Sequence, residues 1–329
     1  MNSPIPVRNY SLPVSPYPIG VIIPTYNRSE ALLTCLRHLE RQTWTDFEVV
    51  IVDDGSTDST PRLLEEYQHQ TVLHLCCIRQ DNGGPARARN TAIAALQASI
   101  CVMIGDDIFA SPDFVSKHLE LHRQRPEIHV AGLGLTRWSD TGQRVTNFMR
   151  WLDESGVQFA YNDLLRGTTP DWKYFYTSNL SLKSQLLREN PFNELFPKAA
   201  AEDIELGYRL ERQGALEVAF IPDALAHHLH PTSFRQACRR QFNVGMSMRI
   251  FHDLWPDSAR PPGNFAFRRS LRKLILRHPV LLPPLTFLAD IVTKAWCPNL
   301  LMLGALSCYY NLGYQSSASS DHKSGAARL

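Results

Sequence analysis

Short apolar runs alternate with helix-forming stretches over residues 19–136, and this alternation restricts the possible folds more than any other feature of the sequence. The runs are rich in Val, Ile and Leu and predict strands at 19–26, 47–52, 72–78, 100–104 and 129–136. The stretches between them predict helices at 30–42, 61–68, 84–98 and 111–124, the first of them capped by Ser29. Parallel strands need such crossover helices, so the pattern predicts an α/β fold with a mostly parallel sheet. Continuous apolar runs indicate that helices cover both faces of the sheet.

Polar residues follow three of the predicted strands. They are Thr25-Tyr26-Asn27, Asp53-Asp54 and Asp106-Asp107. In sheets of this kind a ligand binds outside the carboxyl ends of the strands. We therefore expect these three segments to meet in one crevice.

Each of these segments has a chemical and a purely structural interpretation. Asp106 and Asp107 suit a hard divalent cation such as Mg²⁺ or Mn²⁺, or else form a solvated turn before the next helix. Asp53 and Asp54 suit hydrogen bonds to a base or a ribose, or else a turn with helix capping. The turn at 83–85 leads into a helix with two arginines, which suits a diphosphate or is simply an exposed basic helix.

The second half of the chain offers further candidates. Glu202 and Asp203 begin a predicted helix over 202–212, where a carboxylate could act as a general base or could only cap the helix. His227, His228 and His230 follow a predicted strand at 216–226 and are either metal ligands or surface histidines. The aromatic stretch 172–176 could form a platform for an acceptor sugar or could pack in the core.

The charge is concentrated in one part of the chain. Ten basic and two acidic side chains lie between positions 231 and 278, so this stretch carries a formal charge of +8 within a chain of net charge +2. A basic helix predicted at 233–254 and an apolar stretch at 279–312 favour docking on an anionic membrane face, and the alternatives are packing on the rest of the protein or a homodimer contact. The near-neutral total argues against a nucleic-acid partner.

Cysteine use and the N-terminus indicate the compartment. The seven cysteines form no CxxC pair, which predicts reduced thiols in the cytoplasm. The first twenty residues hold five prolines and lack the apolar core of a secretory signal. No apolar run reaches the roughly 20 residues that a membrane span requires.

Taken in order, these segments resemble family 2 glycosyltransferases, which have the GT-A nucleotide-diphospho-sugar transferase fold. Each motif is short, but their order and spacing over residues 18–232 are specific. The matching segments are Val21-Ile22-Ile23-Pro24-Thr25-Tyr26-Asn27-Arg28, Val50-Ile51-Val52-Asp53-Asp54-Gly55-Ser56-Thr57-Asp58, Gly84-Pro85-Ala86-Arg87-Ala88-Arg89-Asn90, Ile104-Gly105-Asp106-Asp107, Asn179-Leu180-Ser181-Leu182 and Ala201-Glu202-Asp203-Ile204-Glu205-Leu206.

The resemblance implies roles for individual residues, together with the chemistry given above. The nucleotide-sugar donor would be bound by Pro24, Thr25, Tyr26, Arg28, Asp53, Asp54, Arg89 and Asp106. A divalent metal, Mn²⁺ or Mg²⁺, would be held by Asp107 and His228, and Asp203 would be the catalytic base. We further expect the acceptor to contact Trp172, Asn179 and Glu202. Gly105 departs from the family pattern, which commonly has an acid there, and this makes the sugar preference harder to predict.

The implied activity is transfer of a sugar, usually from a UDP-sugar, to an acceptor hydroxyl with inversion, in the synthesis of a cell-surface polysaccharide or glycolipid. The alternatives are a non-catalytic nucleotide-sugar-binding or assembly subunit on the same fold, a Rossmann oxidoreductase and a nucleotidyltransferase. The absence of GxGxxG and of a lysine- and glycine-rich phosphate loop after the first strand disfavours the last two. We expect a cytoplasmic protein, peripheral on the inner face of the plasma membrane if the basic stretch docks there.

The same reasoning divides the chain into four parts. Residues 1–17 are expected to form an extended proline-rich lead-in and residues 18–232 the GT-A domain, with a nucleotide-binding half at 18–140 and an acceptor half at 141–232. A basic and apolar helical extension follows at 233–315, and a flexible tail at 316–329.

Overall fold

A computed structural model describes residues 16–258, 282–293 and 297–325. Most of the predicted lead-in, residues 259–281 (the second part of the basic stretch and the start of the apolar one), residues 294–296 and the last four residues of the predicted tail lie outside these ranges. Within these ranges, eight strands form a single sheet. They are β1 (Ile19–Thr25), β2 (Phe47–Asp53), β3 (His74–Arg79), β4 (Ile100–Met103), β5 (Ile108–Ala110), β6 (Val130–Trp138), β7 (Leu180–Lys183) and β8 (Glu217–His228).

Helices cover the sheet and continue beyond it. They are α1 (Ser29–Leu39), α2 (Thr60–Tyr67), α3 (Pro85–Ala95), α4 (Phe114–Gln124), α5 (Asn147–Ser155), α6 (Tyr161–Leu165), α7 (Ser184–Glu189), α8 (Glu202–Arg212), α9 (Phe234–Leu254), α10 (Leu282–Val292) and α11 (Asn299–Gly325). A 3₁₀ turn occupies Trp172–Tyr174. The last helix continues to Gly325, past residue 316, where the sequence predicted the start of a flexible tail.

The strand order is β3-β2-β1-β4-β7-β6-β8-β5. The first four strands are parallel to one another, as the alternating pattern predicts. Beyond β4 the sheet is mixed, because β7 is antiparallel to both β4 and β6 and β5 is antiparallel to β8. The carboxyl ends of β1, β2 and β4 therefore lie side by side.

Apolar side chains on both faces of the sheet form the core. Alternate residues of β1 point to opposite faces: Ile22 belongs to one buried cluster with α3, and Val21 and Ile23 belong to another with α1. All seven residues of β2 are buried. This two-sided burial explains why these strands read as continuous apolar runs.

The N-terminal cap of α1 differs from the prediction. The helix begins at Ser29 itself, with Arg28 at the cap position and no capping side chain. The Ser29 hydroxyl instead lies 2.8 Å from the hydroxyl of Ser59. Ser29 therefore connects two loops rather than capping its own helix.

Strand β8 contains a bulge that affects the candidate site. Its pairing with β6 shifts between Gly134, which faces Ile221, and Leu135, which faces Leu225. Residues 222–224 are thus extra residues in β8, and the bulge sets the direction in which the end of the strand points its side chains.

The C-terminal helices form an extension attached to the sheet domain. Helices α9 and α11 cross at two glycines: a Cβ on Gly245 would overlap the Tyr310 carbonyl, and a Cβ on Gly313 would overlap the Phe242 carbonyl. Phe234 and Phe251 of α9 are buried against aromatic residues of the sheet domain. Within the described ranges, no helix is both long enough and apolar enough to cross a membrane.

Candidate functional site

The carboxyl ends of the first strands hold the predicted donor residues together. The Thr25 hydroxyl donates to Asp106 Oδ2 at 2.7 Å, and the Asp54 N–H donates to the Thr25 carbonyl at 2.9 Å. Pro24 lies in the same strand, and Tyr26, just beyond it, is 48% exposed. These contacts connect the ends of β1, β2 and β4, as the sequence predicted.

The two aspartates after β2 have different partners. The Asp54 carboxylate accepts from the N–H groups of Gly83 and Gly84 at 2.9 and 2.8 Å, and so fixes the loop that leads into α3. Asp53 accepts from the Arg79 guanidinium at 2.7 Å. Gly84 has φ +85°, and a Cβ there would lie 3.3 Å from the Pro197 carbonyl oxygen, so glycine allows this loop to approach the segment before α8.

Arg28 lies between the two aspartates that follow β4. Its guanidinium donates to Asp106 at 3.3 Å and also pairs with Asp107. Burial and the neighbouring Asp107 charge raise the pKa of Asp106 to about 6, against the opposing effect of Arg28. The predicted donor residue Arg28 therefore balances part of the acidic charge of this pair.

Asp107 also meets two histidines at the end of β8. His228 Nε2 lies 3.3 Å and His230 Nδ1 lies 3.4 Å from Asp107 Oδ2. Burial alone would raise the pKa of Asp107, but the charge and hydrogen bond of His228, the hydrogen bond of His230 and the charge of Arg28 together hold that pKa well below its usual range. Trp138 stacks on His228 with ring centroids 5.4 Å apart.

Backbone pairing positions Asp107, His228 and His230. Ile108 of β5 faces His228 of β8, and the Leu229 N–H donates to the Asp107 carbonyl at 2.9 Å. Among the described residues, one carboxylate oxygen and two ring nitrogens lie within 4.8 Å of one another. One carboxylate and two imidazoles form a donor set that suits a divalent transition metal such as Mn²⁺. This set suits Mg²⁺ less well, because Mg²⁺ prefers ligands that are all oxygen.

The structure adds His230 to Asp107 and His228. The sequence had assigned only Asp107 and His228 to the metal. The signal was present in the His-x-His spacing, since alternate residues of an extended chain lie on one side. There is also a structural reason for glycine at position 105, because a Cβ there would lie 2.9 Å from Asp107 Oδ1. An acidic side chain at position 105 would therefore displace the carboxylate that the histidines hold.

The predicted base lies at the start of α8. Asp203 is partly buried; one carboxylate oxygen accepts from its neighbour Ile204 N–H at 2.9 Å, and the other is 3.5 Å from the Thr177 N–H and hydroxyl. Burial and the adjacent Glu202 charge raise the pKa of Asp203 to about 6, with Arg89 opposing. A carboxylate with a raised pKa can accept a proton near neutral pH.

Arg89 and Glu202 form a buried ion pair beside Asp203. Their charged groups are 2.8 Å apart, and Arg89 Nε and Glu202 Oε2 have no hydrogen-bond partner among the described residues. The sequence assigned Arg89 to the nucleotide and Glu202 to the acceptor. The structure instead brings them together, which connects the glycine loop and α3 to the residue predicted as the base.

Two residues predicted to bind the acceptor lie inside the protein. Trp172 is 6% exposed and packs between Tyr208 and Phe251, which matches the alternative of core packing. Asn179 is fully buried: its oxygen accepts from His118 at 2.9 Å, and its amide nitrogen donates to the Ala224 carbonyl at 2.9 Å. Both side chains are thus taken up by packing inside the protein. The local sequence did not reveal this burial, because it depends on tertiary packing.

Two cavities flank the histidines. One, of about 20 Å³, is bordered by Trp138, Asp153, Phe159 and His228. The other, of about 40 Å³, is bordered by His230 and the first turns of α9. Leu152 and Gln158 border both, and both volumes are far below the roughly 300–1,000 Å³ of typical small-molecule sites.

Comparison with known proteins gives a consistent result. The sequence model of the family described as Glycosyl transferase family 2 matches residues 20–196. Validoxylamine A glucosyltransferase of Streptomyces hygroscopicus subsp. jinggangensis is 32% identical over 231 residues, which are 60% of this chain and 52% of that protein. The chain thus spans about half the length of this relative.

Solved structures show the same fold. The mannosyltransferase PcManGT from Pyrobaculum calidifontis, in complex with GDP-Man and Mn²⁺, superposes with a TM-score of 0.60 at 19% identity, covering 92% of this chain and 87% of that one. Residues 1–349 of Staphylococcus aureus TarS, in complex with UDP, superpose with a TM-score of 0.51 at 17% identity, covering 93% and 91%. At these identities the likeness concerns the fold alone.

Proposed function

Because the chain belongs to glycosyl transferase family 2, we propose that it transfers a sugar from a nucleotide-diphosphate donor, a UDP-sugar, to an acceptor hydroxyl with inversion. The observation that carries the proposal is the arrangement of Asp107, His228 and His230 beside the joined ends of β1, β2 and β4. The structural neighbours that hold GDP-Man or UDP support a nucleotide-linked donor.

The donor would lie across the residues that join the strand ends. Asp53 and Asp54 shape the base side of the crevice through the loops they hold, and Thr25 positions Asp106. Asp107, His228 and His230 would hold the divalent ion. When bound, this ion would act as a Lewis acid that offsets negative charge on the departing diphosphate.

Asp203 would remove the acceptor proton. The acceptor O–H bond breaks and its proton passes to a carboxylate oxygen of Asp203, while the acceptor oxygen bonds to the anomeric carbon. The bond from that carbon to the diphosphate breaks, and its electron pair leaves with the nucleotide. A single displacement of this kind inverts the anomeric centre. The raised pKa of Asp203 favours this role over a non-catalytic subunit.

The test is the substitution Asp203→Asn. We expect UDP release from a UDP-sugar to fall by about 10²- to 10⁴-fold, because the amide cannot accept the proton. The dissociation constant for UDP with Mn²⁺ should stay within about threefold, measured by calorimetry, because Asp203 is not among the donor or metal contacts. Glu194→Gln, at an exposed position near α8, is the control. Unchanged turnover in Asp203→Asn would remove this residue from the mechanism.

We propose further that the acceptor belongs to a cell-surface polysaccharide or a glycolipid and that the C-terminal helices contact a membrane. Phe287 and Ile291 of α10 are 54% and 51% exposed, and Leu301 of α11 is 58% exposed. The Arg235 guanidinium lies 5.5 Å from the centroid of the Phe287 ring. Apolar side chains beside a basic helix suit an anionic lipid surface.

A further inference from the structure

The bulge in β8 carries a buried backbone carbonyl, that of Ala224. This residue is the last of the three extra residues, is fully buried, and has no facing residue in the described pairings of β8 with β6 and β5. A buried carbonyl that lacks a hydrogen bond costs free energy. The Asn179 side chain supplies one, because its amide nitrogen donates to the Ala224 carbonyl at 2.9 Å and to the Leu135 carbonyl of β6 at 3.2 Å. One side chain thus holds the bulge and the strand that faces it.

The backbone next to Asn179 admits its amide only because residue 134 is glycine. The Gly134 N–H donates to the Asn179 carbonyl at 3.0 Å. A Cβ on Gly134 would lie 2.3 Å from Asn179 Oδ1 and 2.5 Å from the Ala224 carbonyl oxygen. A larger residue at position 134 would therefore push the amide away from the bulge.

A chain of buried polar groups sets the direction of the Asn179 amide. Two carbonyl oxygens face its nitrogen, so its oxygen faces His118 Nε2 at 2.9 Å, and this ring nitrogen must be the donor. His118 Nδ1 then accepts from the Ser181 hydroxyl at 2.8 Å, and the Ser181 oxygen accepts from His122 Nε2 at 2.9 Å. Every group in this chain donates toward the bulge.

The two histidines of the chain are uncharged at neutral pH. Burial lowers the pKa of His118 to about 4 and, together with the nearby Lys183 charge, lowers that of His122 to about 3. Neutral His118 with its proton on Nε2 is the form that the Asn179 oxygen requires. Because both histidines belong to α4, the chain connects that helix to the bulge of β8.

The pairing that brings the metal-binding group together begins directly after Ala224. Leu225 faces Leu135 on β6, and this register continues to His228, which also faces Ile108 of β5 beside Asp107. A shift of one residue would turn the other face of the strand toward Asp107. The contact that fixes the bulge therefore determines where the imidazoles point.

We propose that Asn179 is a positioning residue: by holding the Ala224 carbonyl, it fixes the register in which His228 and His230 meet Asp107. The role rests on the proposed function, because these three side chains are its metal-binding group. Asn179 itself is fully buried and acts only through the strand that it holds.

Titration of Mn²⁺ by calorimetry, without a donor, tests this role. Asn179→Ala removes the amide, and Asn179→Leu removes it while keeping a branched side chain of similar shape. We expect both variants to bind Mn²⁺ about tenfold more weakly, the lower end of the range for partners outside the ligand set.

Asn90→Ala is the matched control. The Asn90 amide also holds a distant backbone segment, since it accepts from the Phe192 N–H at 2.8 Å and donates to the Phe192 carbonyl at 2.9 Å. Chemical denaturation should show a loss of stability in this variant as well, whereas its Mn²⁺ affinity should stay that of the wild type. Mn²⁺ affinity that is unchanged in both Asn179 variants, or lowered equally in Asn90→Ala, would overturn the proposal.

A double-mutant cycle separates positioning from a general loss of structure. In a His230→Ala background, the Asn179 substitution should weaken Mn²⁺ binding by less than in the wild type, because one of the ligands that it positions is gone. Asn179→Leu takes the place of Asn179→Ala in the cycle if the alanine variant does not fold. Losses that simply multiply would mean that Asn179 acts independently of the histidines and would also overturn the proposal.

Failure of the proposed function would be recognised separately. Wild-type protein that binds Mn²⁺ but releases no UDP from any UDP-sugar would contradict sugar transfer and leave the positioning role open to the same measurements. Wild-type protein that binds no Mn²⁺ would contradict the metal site and the positioning role together.

Discussion

Glu202 and Asp203 are neighbours in the sequence, but their surroundings give them different properties. Glu202 is buried against Arg89, whereas Asp203 is partly buried with a pKa raised to about 6. The charge of Glu202 is one cause of that shift, after burial. The ion pair therefore adjusts the proton affinity of the proposed base as well as joining α3 to α8.

Glu202→Gln is expected to lower the pKa of Asp203. The substitution removes the like charge that raises this pKa, and Arg89 then acts without its balancing partner. Since the base works deprotonated, the acid limb of the kcat/KM profile for UDP release should move from near pH 6 to lower pH. The Glu194→Gln control should keep the wild-type profile. A limb that stays in place or moves to higher pH would contradict the electrostatic explanation.

His230→Ala is expected to weaken Mn²⁺ binding by at least tenfold, because a donor set of one carboxylate and two imidazoles loses a ligand. His227→Ala is the matched control: His227 adjoins His228 in β8, and its side chain points to the other face of the strand. Calorimetric titration of Mn²⁺ into each variant measures the effect. Equal losses in the two variants would mean that the histidines act by surface charge alone.

At the residue scale, the sequence predicted contacts between residues of short motifs. It did not predict the contacts that depend on packing between distant elements. Asp107 and His228 meet as predicted. His230 was not assigned to the metal, although its two-residue spacing from His228 could have indicated it. Trp172 and Asn179 were expected near the acceptor. Their burial is decided by α9 and α4, elements distant in the sequence, and the residues themselves give no sign of this.

Elements with strong local patterns match their predicted positions. Helix α8 occupies the predicted Glu202–Arg212, and the first four long strands lie within three residues of their expected bounds. Strand β5 has only three residues and was not predicted, because such a segment carries no period. The antiparallel insertion of β7 was missed for another reason: it is a long-range pairing, and a strand of four residues is too short to reveal its direction.

The crossing of α9 and α11 yields a prediction at the same scale. Gly313→Ala should lower the free energy of unfolding by about 2 kcal/mol, because the new methyl group meets the Phe242 backbone, which cannot rotate away. Alanine's better helix propensity, at most about 1 kcal/mol, offsets only part of this. Chemical denaturation measures the change, with the exposed Gln315→Ala as control. Equal stability of the two variants would mean that the helices separate at little cost.

At the scale of the whole molecule, the excess of positive charge and the exposed apolar side chains of the C-terminal helices occur in neighbouring parts of the sequence. The basic stretch precedes α10 in the sequence, and Phe287 and Ile291 of that helix are exposed. We expect the protein to sediment with vesicles that contain anionic lipid and to be released by high salt, because charge attraction between exposed groups is screened within about 10 Å at 0.1 M salt.

The double substitution Phe287→Ser with Ile291→Ser should reduce this vesicle binding severalfold without lowering UDP affinity. Val72→Ser removes another exposed apolar side chain, before β3, and should leave binding unchanged. Binding to neutral vesicles that equals binding to anionic ones would exclude the electrostatic part. A dimer that dissociates in the double variant would instead identify this surface as a contact between two copies.

The proposed metal-binding group depends on the bulge at residues 222–224 of β8. Deleting one bulge residue would leave Asp107 and the three histidines in the chain, yet a one-residue shift of the pairing beyond the bulge would exchange the side chains on the two faces of the strand. His227 would then face Asp107, while His228 and His230 would face away. The number of residues in this one irregularity thus determines which imidazoles the carboxylate meets.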